Sequence, residues 1–236
     1  MKILVIFLIL LISQIVVSDI VKTDHCSLTD AKCLTKALQK FLEESSQGTP
    51  DLTMKPTDPF TIQKLQFTVD KYQTELSYED LIVTGFKYQK ISKFNLDVNT
   101  HDIELNTTVD FTATGTAKIN FIKSGTTYID TLKIQANAVA RATYNYTPII
   151  NSKNEIQGYT IGPETIYCQL INKPKLKYTP VIEQTSLNKE KEEVYTTIED
   201  DISCNIVKTV FNTVIGNIRA TALQYEEYNK ENNNTY

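Results

Sequence analysis

Hydrophobic residues recur at every second position through most of the stretch from Phe60 to Thr179. The cleanest case sets Ile103, Leu105, Thr107, Val109, Phe111 and Ala113 against Asp102, Glu104, Asn106, Thr108, Asp110 and Thr112. Successive side chains of a strand point to opposite faces, so this spacing predicts a β-strand with one dry and one wet surface. A second alternation puts Leu132, Ile134, Ala136, Ala138, Ala140, Ala142, Tyr144 and Tyr146 opposite Thr131, Lys133, Gln135, Asn137, Arg141, Thr143 and Asn145. It runs well past the usual strand of about five or six residues. Strands this long predict a large, strongly twisted antiparallel sheet that curls around something. Turn-forming residues stand at Asn99–Asp102 and at Ser124-Gly125.

The period changes on both sides of this region. Leu34, Leu38, Phe41 and Leu42 recur at helical spacing, with Ser27 or Thr29 as N-cap and Gly48 and Pro50 as the stop. Towards the C-terminus, Ile198, Ile202, Ile206, Val210, Val214 and Ile218 step by four, flanked by Val207, Phe211, Ile215 and Leu223. So broad a stripe predicts a helix from Tyr195 to about Leu223 that is buried along most of its length. Asp200 and Asp201 then suit the positive end of the helix dipole. The charged run Asn188–Glu193 reads as a solvated loop and Tyr228–Tyr236 as a polar tail. The expected fold class is α+β: a long C-terminal helix wrapped by a highly curved antiparallel sheet, plus an N-terminal amphipathic helix. With no linker or repeat, residues 19–236 are expected to form one domain.

Met1-Lys2, the apolar run Ile3–Ile12 and the small-residue exit ending at Ser18 have the build of a secretory signal over residues 1–18. The run is shorter than the roughly 20 residues a bilayer span needs. The mature chain is therefore expected to be soluble and extracellular, with no stable membrane insertion. An oxidising compartment turns four cysteines into two disulfides, and of the three pairings the local one, Cys26 with Cys33 and Cys168 with Cys204, is the simplest. The net charge of -4, with no basic patch, argues against nucleic acid as a partner. Sequons at Asn106, Asn145 and Asn233 are candidate glycosylation sites, the first two on the outward phase of their strands.

Catalytic chemistry is missing from this inventory. The two histidines, His25 and His101, lie beside a cysteine and in a strand turn, and no nucleophile elbow, zinc-protease, phosphate-loop or dinucleotide fingerprint occurs. No enzyme, metal site or cofactor is expected. The alanine row from Ala136 to Ala142 either admits the C-terminal helix closely or leaves room for a guest, and Tyr144 and Tyr146 favour the guest. Both put a hydroxyl on an otherwise apolar inward face, where it needs a partner from backbone, water or ligand.

Several segments, in order, resemble the haemolymph juvenile hormone binding proteins and their takeout relatives. They are Cys26-x6-Cys33 with its helix, Gly48-x-Pro50 with Asp58-Pro59, Asp80–Phe86, Gln89–Phe94, Pro163–Cys168 and Asn217–Ala220. The resemblance implies a tubular lipid-binding fold of the super-roll type and a haemolymph carrier of a small hydrophobic ligand, acting as a monomer. Its hormone-binding branch implies juvenile hormone, a sesquiterpenoid epoxide ester; its takeout branch implies another long apolar ligand such as a fatty acid, quinone or odorant. By the same resemblance Tyr144 donates to the epoxide and Tyr146 and Tyr159 line the pocket, with Ala140, Ala142, Leu38 and Phe41 as further lining residues. A secreted enzyme or a defence protein that binds membrane lipid is the contrasting class.

Overall fold

The computed structural model describes residues 26, 30–49, 53–154, 156–181 and 189–233, with backbone only for 156–158 and 222–233. The segment read as a signal lies outside them. Helix α1 spans Ala31–Glu44. Eight strands follow: β1 (Phe60–Val69), β2 (Thr74–Thr84), β3 (Lys90–Asp97), β4 (Asp102–Phe121), β5 (Thr126–Ile150), β6 (Ile156–Ile161), β7 (Thr165–Leu170) and β8 (Lys175–Pro180). Helix α2 closes the described chain at Lys189–Asn233.

Two strands organise the sheet. β4, of 20 residues, and β5, of 25, pair antiparallel along nearly their whole lengths. The far edge of β4 is shared by β2 and β3, and β5 pairs in turn with β8, β7 and β6. Alternation is kept throughout: Leu105, Thr107, Val109, Phe111 and Ala113 are buried, as are Leu132, Ile134, Ala138, Ala140, Ala142, Tyr144 and Tyr146.

α2 rests on β5, β6 and β7 and reaches β1, so the curled sheet wraps it from both sides. Its residues Ile202, Ile206, Val207, Val210, Phe211 and Ile215 are fully buried. The disulfide Cys168–Cys204, with 5.5 Å between Cα atoms, staples it to β7. Ala140 is the register partner of Cys168. The second disulfide, Cys26–Cys33, ties the N-terminal arm to the first turn of α1.

Three local expectations are corrected. The N-cap of α1 is Asp30, whose Oδ1 accepts from Cys33 N at 3.0 Å, and Ser27 and Thr29 lie outside the described residues. α2 begins at Lys189, so most of the charged run read as a loop is helix, and Asp200 and Asp201 sit several turns inside it. Glu190 and Glu192 are the acids of its first turn. The supposed tail is helical in backbone as far as Asn233.

Two latches close the wrap. Asp58 Oδ2 accepts from Gly85 N at 2.9 Å and Lys87 N at 2.8 Å, fixing the approach to β1 against the end of β2. Gly85 has φ +113, and a Cβ there would lie 2.1 Å from Asp110 O, so glycine is required. Asn217 of α2 accepts from Lys55 N at 2.9 Å and donates to Lys55 O at 2.8 Å. Both motifs, singled out by resemblance, thus hold the frame.

Candidate functional site

The inner face of the sheet has two polar ends with an apolar middle. At the end near the start of α2, Asp130 is fully buried, accepting from Lys191 Nζ at 2.8 Å and Tyr195 Oη at 2.6 Å. Tyr195 stacks on Tyr178 at 3.6 Å, and the Tyr178 hydroxyl meets that of Tyr78 at 3.2 Å. Burial pushes all three phenols up from their ordinary value, and the Asp130 carboxylate pushes Tyr195 further. Each polar group here is answered by another, and nothing in the sequence pattern had paired them.

At the other end stands Tyr144, 4 % exposed, in register with Ile103. Its hydroxyl makes no hydrogen bond among the described residues. Burial pushes the phenol well up, while Arg219 pulls it down and Glu164 pushes it up. Arg219 is spent nearby: it pairs with Glu164 and donates to the carbonyls of Ile161 at 3.2 Å and Gly162 at 3.0 Å. The surroundings of Tyr144 are thus close to neutral in charge, and its O–H stays available as a donor.

Tyr146 is also buried and packs edge-on against Tyr159 at 5.6 Å and against His101 at 5.0 Å. Tyr146 and Tyr159 thus meet near the end of β5, two residues along the same strand from Tyr144. Ala142 lies next along, paired with Leu105, and Ala140 follows, paired with Thr107. Leu38 and Phe41 are half-buried on the inner side of α1, against the same core. Gln39 docks that helix: its side chain accepts from Ile91 N at 2.9 Å and donates to Gln89 O at 3.0 Å.

A groove of about 750 Å³ runs along α1 where it meets β3, lined by Lys32, Lys36, Gln39, Lys40, Glu43 and Ile91 among others. It is open to solvent and rimmed by charged side chains, whereas a site for an apolar guest is enclosed. Of the sequons, Asn145 is exposed, Asn106 is half-buried between register partners Lys93 and Arg141, and the side chain of Asn233 lies outside the described residues. Among the described residues no cluster of His, Cys, Asp or Glu is arranged to hold a metal, and no helix is long and apolar enough to cross a membrane.

A family model described as haemolymph juvenile hormone binding protein matches residues 5–114. The juvenile hormone-binding protein of Manduca sexta is 30% identical over 208 residues, spanning 84% of this chain and 90% of that protein. The chain belongs to the haemolymph juvenile hormone binding protein family. The crystal structure of Epiphyas postvittana Takeout 1 superposes with a TM-score of 0.66 at 16% identity, covering 84% of this chain and 94% of that one. That likeness fixes the fold: a curled antiparallel sheet around a long C-terminal helix is the frame of this family, with the two disulfides set into it.

Proposed function

We propose that the protein is a secreted, monomeric, non-enzymatic carrier in the haemolymph, holding one small hydrophobic ligand inside the wrap, with juvenile hormone as the leading candidate. Residues 19–236 act as the single ligand-binding domain. The observation that supports this most is Tyr144: a buried phenol, protonated, without a hydrogen-bond partner among the described residues, set at the edge of an alanine-lined apolar wall.

The chemistry follows from two unequal contributions. Burying about 400–500 Å² of ligand surface is worth up to about 10 kcal/mol at roughly 25 cal/mol per Å², before the cost of association. One neutral hydrogen bond adds about 1 kcal/mol. Burial supplies the affinity; Tyr144 orients the guest and favours an epoxide oxygen over plain hydrocarbon. Because Arg219 is already answered by Glu164, the pocket end suits a neutral group better than a free carboxylate.

Native mass spectrometry of the secreted protein, followed by titration with methyl epoxyfarnesoate and with palmitate, tests the reading. A saturable one-to-one complex with the epoxide ester supports it. Binding of palmitate alone transfers the protein to the takeout-like reading, a carrier of another long apolar ligand; binding of neither, or hydrolysis of the ester, overturns the carrier.

A further inference from the structure

The outer face of the sheet gathers a charge pattern that the linear sequence hides. Along 112–120 of β4, 127–135 of β5 and 175–181 of β8 and the residue after it, the outward phase holds no carboxylate. It holds Lys118, Lys133, Lys175 and Lys177, all exposed, and Lys123 stands exposed in the turn between β4 and β5. None of the five makes an ion pair among the described residues. Lys133 and Lys177 are direct register partners on neighbouring strands. Like charges set opposite each other in this way cost stability, and no described acid on these three strands offsets it. The chain as a whole carries a net charge of -4, so this face inverts the sign of the molecule. The expectation of no basic patch is therefore corrected: the lysines come from three strands, and only the register assembles them.

Aliphatic side chains stand in the same rows. Ile129 is 45% exposed, Val181 57% and Ile122 55%. Ile129 is in register with Lys118, and Val181 N donates to Ile129 O at 3.1 Å, so Val181, Ile129 and Lys118 form one row across the three strands. Ile122 follows at the end of β4, beside Lys123. An isolated exposed aliphatic residue needs no explanation. Three of them interleaved with unpaired lysines match a boundary that is anionic outside and apolar beneath.

We propose that this face is a docking surface for an anionic lipid membrane, with the lysines on the lipid headgroups and Ile122, Ile129 and Val181 entering the headgroup layer. A soluble polyanion would use the lysines and leave the aliphatic side chains in water, so a bilayer fits the whole face and a polyanion only part of it. The surface is the back of the plug, because Asp130 and Tyr178 point inward from the same strands. Tyr144 lies 11 residues beyond Lys133 on β5, as 144 less 133. At about 3.3 Å per residue that is roughly 36 Å along the strand, well outside the lysine rows. Docking by this face is thus independent of the carrier reading.

The test is flotation of the full chain with vesicles of phosphatidylcholine alone and of phosphatidylcholine with phosphatidylserine, at low and high salt. The wild-type protein should float with the anionic vesicles only, and salt should release it. Lys177→Ser is expected to weaken this binding about fivefold, the worth of one lysine near an anionic surface, and Lys133→Glu roughly 25-fold, because it shifts the charge by two. Lys133→Glu should also keep or raise the melting temperature, since an opposite-charge pair replaces a like-charge one. Ile129→Thr combined with Val181→Thr should weaken vesicle binding roughly tenfold and leave retention on heparin unchanged. Absence of flotation with anionic vesicles, or flotation that the lysine variants leave unchanged, overturns the proposal. Vesicle binding that survives loss of both aliphatic side chains also overturns it, and assigns the face to a soluble polyanion.

Discussion

The two ends of the inner face differ in one respect: among the described residues each buried polar group at the Asp130 end has a protein partner, and the Tyr144 hydroxyl at the other end has none. Asp130, Lys191, Tyr195, Tyr178 and Tyr78 form a closed chain of bonds between the sheet and the first turns of α2. Among the described residues the Tyr144 hydroxyl, on a side chain 4% exposed, shows no hydrogen-bond partner, and neither does the fully buried Oγ1 of Thr107. Evolution of a stable core removes such atoms or pairs them, so a sheet that does so at one end and not at the other has divided its labour. One end is a plug that fixes the helix, and the other is the end to which the proposed guest is assigned.

The largest effect expected from breaking this contrast is at the plug. Asp130→Ala leaves Lys191, whose side chain is 15% exposed, without its counter-ion, at a cost of about 3–5 kcal/mol in unfolding experiments. Ligand affinity measured on the protein that remains folded should hardly move; a large affinity loss would mean the ends are not separate.

Alkaline titration comes next. Tyr78, Tyr144, Tyr178 and Tyr195 all hold their protons more tightly folded than unfolded. Their contribution is fully present below the ordinary phenol value of 10.0 and falls as pH rises past it, by about 1.4 kcal/mol per tyrosine per pH unit. Chemical denaturation across that range should show this slope, three of the four tyrosines belonging to the plug; a flat profile contradicts their burial.

Asn217→Ala, on α2 two residues before Arg219, removes both bonds to Lys55 and should cost about 2 kcal/mol. The smallest effect is at the open end. Tyr144→Phe should lower affinity for an epoxide ligand by roughly fivefold, leave a de-epoxidised analogue unaffected and cost no stability, because no protein partner is lost. Destabilisation by more than about 1 kcal/mol would place Tyr144 in the frame instead of the site.

Much of this frame was legible along the chain. Alternation from Phe60 to Thr179 marked the strands and their dry faces because one face of a curled sheet must exclude water. The start of α2 was not legible, since Lys189–Glu193 is charged at every position and carries no apolar stripe. The latches escaped for another reason: Asn217 and Lys55 are 162 residues apart, and only folding shows that one reads the backbone of the other. At the site, the inward phase of Tyr144 followed from alternation, and Thr107 from the same pattern, but as a core position. What alternation does not encode is whether a buried hydroxyl finds a partner, and that distinction separates the plug from the open end.

A crystal structure of the protein with methyl epoxyfarnesoate decides whether the interior takes the guest. Ligand density is expected along Leu105 and Ala142, inside the wrap, with the epoxide oxygen within hydrogen-bond distance of Tyr144 Oη. Ligand lying in the groove between α1 and β3, or an interior unchanged with Tyr144 still unpaired, would contradict it.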